Sequence, residues 1–253
     1  MDYNEKLSFH NDFNKIIFYK EDSLVREFAK EELRVYEFTY DFEQYNAQKE
    51  LLIKLIDFIG SSVEQVESKL TDETQKELHR RLVSRILSAI GASKNLLVVG
   101  YYNETAVLLR IILEYSNLYL YLMLNPNKIE KWFKKPANHE FKPKIIRNKI
   151  QGTNKVISKK YNDLSRFIHP NPKKSLNAVM GENPDNLLYF RSPIFSPSKL
   201  SEITIMFISC MIEFQQELIF VLWDKLNDKK QAEKLDLQLS EIKEEFPESK
   251  ILG

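Results

Sequence analysis

The stretch Asn103-Glu-Thr-Ala-Val-Leu-Leu-Arg110-Ile-Ile-Leu-Glu114-Tyr-Ser-Asn117-Leu-Tyr-Leu-Tyr-Leu-Met-Leu124-Asn125-Pro126 decides the fold. It contains no breaker before Pro126, whose ring pushes Asn125 out of the helical region, so it predicts one helix from about Asn103 to Leu124. Apart from Glu104, Thr105 and Ser116, its polar residues are Asn103, Arg110, Glu114 and Asn117. At about 100° per residue these four fall within about 60° of one another. Every other direction is dominated by Leu, Ile, Val and Tyr, which marks a central helix of an α-helical bundle.

Outward from this helix, breakers are scarce. The chain of 253 residues has only 6 Gly and 9 Pro, with most of the prolines between Pro126 and Pro197, so both flanks favour long helices. A 43% apolar content is ample for one core. Thr71 with Thr74 opens a preceding helix to Val99, where Gly100 interrupts, and Asp72 and Glu73 favour its N-terminal dipole. Before it, a proline-free run from an Asp22 or Ser23 cap to about Lys69 reads as one long helix or two, with Gly60-Ser61-Ser62 the expected break. Short turns make consecutive helices antiparallel neighbours, so the expected architecture is an all-α up-down bundle.

Beyond Pro126, shorter helices are expected over 128–134, 142–150 and 153–168, then a small hairpin or structured loop near 176–190. A long helix from the Ser196-Pro197-Ser198 boundary to about Asn227 returns to the bundle. The expected organisation is an N-terminal segment 1–20, one domain over 21–228, and an acidic C-terminal helix or tail over 229–253.

Export is not expected, since the N-terminus has early acids and no apolar core of signal-peptide length. The lone Cys210 excludes an intramolecular disulfide and fits a reducing cytoplasm. The two greasiest stretches, 106–124 and 203–226, carry Arg110 and Glu114, and Glu213 and Glu217, near their centres. A lipid-facing span disfavours such charges, so both are expected to be bundle helices, with no membrane partner. His10, His79, His139 and His169 are isolated, and their spacing supports neither a metal site nor a cofactor.

Two readings of the polar stripe stand open. Arg110 and Glu114, at i and i+4, form either an ion pair on a wet edge or part of a polar pocket with Asn103 and Asn117. In the pocket, His169 is the candidate partner, and a small anionic ligand or nucleotide is a possible occupant. Glu202, Ser209, Glu213, Gln216 and Glu217 make a second stripe on the last bundle helix. His169 ends a helix on which Ser165 lies one turn earlier. It serves either as a cap on the last carbonyls or as a functional imidazole beside Arg166, Ser165 and Tyr161.

Charge is uneven. Residues 128–174 hold twelve Lys and two Arg against Glu130, Glu140 and Asp163, a net +11 in a chain of net +1. Lys134, Lys135, Lys142, Lys144 and Arg147 are the cations expected to meet RNA or another nucleic acid there. Trp132, Phe133, Phe141, Tyr161 and Phe167 are interleaved with them, as a single-strand surface requires. The competing reading makes the aromatics the apolar face of short helices and the lysines their solvated face.

The run from Gly100 to Glu114, followed by Pro126, Trp132 and Tyr161-Asn-Asp-Leu-Ser165-Arg-Phe-Ile-His169, resembles prokaryotic helical-bundle proteins that look like distant relatives of the HEPN superfamily. The resemblance covers roughly 71–172. It implies a bundle in which the Arg110/Glu114 helix lies near the Ser165/His169 helix, often as a homodimer and often in bacterial defence or toxin settings. Many HEPN proteins are metal-independent ribonucleases that use an Arg followed four to six residues later by His. Here only two residues separate Arg166 from His169, a departure from that pattern. The resemblance therefore implies an interaction component without catalysis. Its alternative is a ribonuclease in which His169 moves protons and Arg166 or Arg110, with Glu114 nearby, steadies the phosphorane.

Overall fold

Two three-residue turns, 70–72 and 99–101, set the frame. A computed structural model describes residues 23–151, 164 and 195–245. They form eight α-helices: α1 Ser23–Asp41, α2 Glu43–Lys69, α3 Glu73–Val98, α4 Tyr102–Leu124, α5 Ile129–Lys134, α6 Pro143–Gln151, α7 Pro197–Phe220 and α8 Lys229–Glu245. No strand occurs among the described residues, and the helices pack into an α-helical bundle. The expected helix over 153–168, apart from helical Leu164, lies outside the described residues, as do the loop near 176–190 and both termini.

The α3–α4 hairpin shows why the turns are short. Gly100 sits at φ 84°, in the left-handed region. Its N–H donates to the Leu97 carbonyl at 3.2 Å, and the Tyr101 N–H donates to Leu96 at 2.9 Å. These two bonds satisfy carbonyls that the end of α3 would otherwise strand, in the Schellman pattern. At the other end of α3 the cap is Asp72, not Thr71: its carboxylate accepts from the Gln75 N–H at 2.8 Å. A Gly100→Ala chain is expected to lose about 1 kcal/mol, because a Cβ disfavours this φ. A urea melt that leaves the midpoint unmoved would contradict that assignment.

Helix α2 corrects the sequence reading. The expected break at Gly60-Ser61-Ser62 is absent, and the chain instead breaks at Phe42, which is extended at φ −79°, ψ 109°. Ser61 and Ser62 turn their hydroxyls back onto the Phe58 carbonyl, each at 2.9 Å, and so stay within the helix. Buried Ser62 also accepts from Gln215, so contact with α7 fixes the segment that local propensity leaves open. At Phe42 no glycine or proline is needed. Phe195 packs against Phe42 and Phe38, Tyr40 meets Tyr45 edge to face across the break, and the Asn46 amide donates to the Tyr40 carbonyl.

Helices α2, α3 and α4 alternate in direction. Glu67 pairs with Arg80 across the first turn, while His79 with Tyr119 and Arg85 with Tyr115 mark the antiparallel α3–α4 register. The fourth long helix departs from simple alternation. The Gln48 amide donates to Ser201 and the Gln215 amide to Ser62, both at an offset of 153 residues, so α7 runs parallel to α2. The Ser196 N–H donates to the Tyr102 hydroxyl, which puts the start of α7 beside the start of α4. Three of the four long helices therefore point the same way.

The core between these helices includes fully buried Leu55, Leu82, Leu109, Tyr119, Phe207 and Phe214. Helices α4 and α7 are each long and apolar enough to cross a membrane by length and composition, and here they pack against each other in the bundle. Helix α7 continues through a π turn, Val221–Lys225, to Asn227 at φ 51°. Asp228 then caps α8 through the Gln231 N–H and accepts the Lys69 ammonium at 2.9 Å.

Candidate functional site

The polar stripe of α4 is graded from edge to interior. The Arg110 Nε donates to Glu114 Oε1 at 2.8 Å, with 22% and 25% of the two side chains exposed. That places the pair at a rim. One turn further on, Asn117 is buried and donates to the Leu113 carbonyl at 2.6 Å, while Asn103 at the start is half-buried. Spacing alone predicted the ion pair, because i and i+4 meet on a helix.

The second stripe behaves the same way. Glu202 and Gln216 are exposed and Ser209 is half-buried, but Glu213 and Glu217 are buried in the middle of α7. Burial, and then the neighbouring Glu213 carboxylate, push the Glu217 carboxyl well above its ordinary value, with the Ser116 hydroxyl acting in the other direction. Ser116 lies off the α4 stripe, on the side that meets α7. Beside it, Tyr119 is fully buried, and its hydroxyl lies 2.9 Å from His79 Nδ1. Burial depresses the His79 imidazole to about 4, so it is neutral at physiological pH. His79, Tyr119, Ser116 and Glu217 thus link α3, α4 and α7 through one polar seam. In the sequence His79 stands isolated and Ser116 falls outside the stripe, so neither marks this seam.

Among the described residues no group of three His, Cys, Asp or Glu side chains could hold a metal ion. Tyr161, Ser165, Arg166 and His169 lie outside the described residues. The structure therefore brings Arg110 and Glu114 together.

In the basic segment, the aromatics among the described residues turn inward. Phe141 is buried, and Trp132 and Phe133 pack against the core, with Arg81 stacked over the Phe133 ring at 5.0 Å. This corrects the expectation of a stacking surface at Phe141, because a buried ring presents no face to a base. The cations divide into two groups. Lys131 pairs with Glu140 at 2.8 Å and Lys134 with Glu130 at 3.5 Å, while Arg147 is half-buried. Lys135, Lys142 and Lys144 are exposed and make no ion pair with a described residue.

Tyr121, in the last turns of α4, is buried, and its hydroxyl accepts from Lys128 Nζ at 2.7 Å and from Lys149 Nζ at 3.2 Å. Both ammonium groups also lie 5.3 Å from the ring centroid. Burial raises the phenol, but the hydrogen bonds from Lys128 and Lys149 outweigh it and lower its pKa overall.

No protein-family model, no curated protein and no solved structure matches this chain. Its function is read from its own residues.

Proposed function

We propose that this chain is a non-catalytic helical-bundle interaction module, HEPN-like in kind, that holds RNA by charge on the face of α5 and α6. The carrying observation is the disposition of that face. Its aromatics are spent on packing, whereas Lys135, Lys142 and Lys144 project from it without carboxylate partners among the described residues. Such a surface suits phosphate contacts, which position a nucleic acid without reading its bases. Lysine rather than arginine dominates, which also favours charge over bidentate recognition.

Against catalysis stands the spacing of Arg166 and His169, with only two residues between them. The resemblance adds a setting in bacterial defence or stress, with a second copy or another protein as partner, and the lone Cys210 fits a cytoplasmic location. The expected result is RNA binding whose affinity falls steeply with salt, with the RNA recovered uncut in chelator. Replacing Lys135, Lys142 and Lys144 by Gln should reduce the slope of log K against log salt by about 2, since each single-strand phosphate contact contributes about 0.7. A slope unchanged in the triple variant contradicts the assigned face. Cleavage that disappears in His169→Ala contradicts the non-catalytic reading.

A further inference from the structure

The Tyr121, Lys128 and Lys149 cluster asks for an explanation, because two like charges converge on one oxygen. A buried side chain from α4 is met by one lysine from the turn after α4 and one from α6, so three segments build the cluster. Its surroundings leave the charge in place. Glu140 is the nearby carboxylate, but Lys131 holds its Oε1 at 2.8 Å, while Lys128 lies 3.9 Å from Oε2. Counting those four groups with the neutral phenol leaves Lys128 and Lys149 in excess. The negative end of the α4 dipole offsets part of their repulsion, which explains why the pair is tolerated. It does not explain what faces the pair.

The phenol supplies the missing direction. Its oxygen accepts from both ammonium groups, so its own proton must point elsewhere, and no described residue accepts it. Lys149 is exposed and Lys128 has 28% of its side chain exposed, so solvent reaches the cluster. Three groups able to donate, two of them charged, therefore sit within hydrogen-bond distance of one oxygen, with solvent beside the lysines. A phosphate monoester matches them with three terminal oxygens and a charge near −2, where a phosphodiester has two terminal oxygens and −1.

The geometry points to a binding site for a terminal phosphate monoester, held by the Tyr121 hydroxyl and the Lys128 and Lys149 ammonium groups. On the proposed RNA-binding face, on which this assignment rests for its partner, the natural bearer is the 5′-phosphate end of a strand. The exposed lysines of α5 and α6 would then follow the backbone while this cluster fixes its end. The site itself asks only for the monoester.

Binding of the full chain to 5′-phosphorylated and 5′-hydroxyl forms of one short RNA tests this, beside adenosine 5′-monophosphate and inorganic phosphate as free ligands. The phosphorylated strand should bind about tenfold more tightly than the hydroxyl form at equal salt. Inorganic phosphate should compete for that increment. Tyr121→Phe keeps the ring and should bring the ratio to about one. Lys149→Gln should abolish the ratio as well, and circular dichroism melts check that both variants fold. If neither RNA binds but inorganic phosphate or the nucleotide binds in a Tyr121-dependent way, the RNA-binding reading fails and the phosphate site stands. A ratio of one in the parent chain, with no Tyr121-dependent binding of either free ligand, overturns the site.

Discussion

A His79→Leu/Tyr119→Phe chain is expected to hold its stability between pH 6.5 and 4, where the parent chain loses on the order of 3 kcal/mol at His79. The sign follows from burial. The folded imidazole titrates near 4 and the unfolded one at its ordinary 6.5, so across this window the unfolded chain binds the extra proton. Falling pH therefore favours unfolding until the folded imidazole also charges. Removing both partners of the 2.9 Å His79–Tyr119 contact together leaves no buried donor or acceptor stranded, whereas Tyr119→Phe alone does. Urea midpoints across the acid range check this, and an acid limb as steep in the double variant as in the parent would place the sensitivity elsewhere.

Glu217→Gln is expected to act in the opposite direction, raising stability by about 1–3 kcal/mol at pH 8 and by little at pH 4. The folded carboxyl is held well above its ordinary 4.5 by burial and by Glu213, so it keeps its proton where the unfolded chain has released one. Its contribution is fully present below the unfolded value and is lost as pH rises through the folded one. Gln has nearly the same shape and never ionises, so it escapes that loss. A variant no more stable than the parent at pH 8 would mean that Glu217 ionises without cost. The two predictions share a seam and have opposing slopes. Between pH 4.5 and 6.5 they partly cancel in the parent chain, so only the variants expose them.

The all-α class was legible because so few breakers interrupt the apolar periodicity, and Gly100 and Pro126 bounded α4 to within a residue. The break at Phe42 was not, since aromatic packing around Phe195 makes it without glycine or proline. Nor could Gly60 be recognised as mid-helix, because what holds that turn is a serine contact to a helix 153 residues away. The direction of α7 was likewise hidden, as it depends on the path of the connecting chain. At the site, the Arg110–Glu114 pair was visible in its spacing. Tyr121 was lost among the apolar residues of α4, since its partners lie 7 and 28 residues on, beyond the helix stop. A tyrosine near a helix end followed by lysines was the available signal.

The parallel pairing of α2 with α7 also bears on how the chain is made. The α3–α4 hairpin can close as soon as it emerges from the ribosome, but the residues of α2 that meet α7 must wait for partners synthesised 153 residues later. At roughly 5–20 residues per second, that leaves the buried face of α2 without its final cover for about 8–30 seconds of translation. Helix α4 also packs on α7, but it is made later, so the buried face of α2 waits longest for that cover.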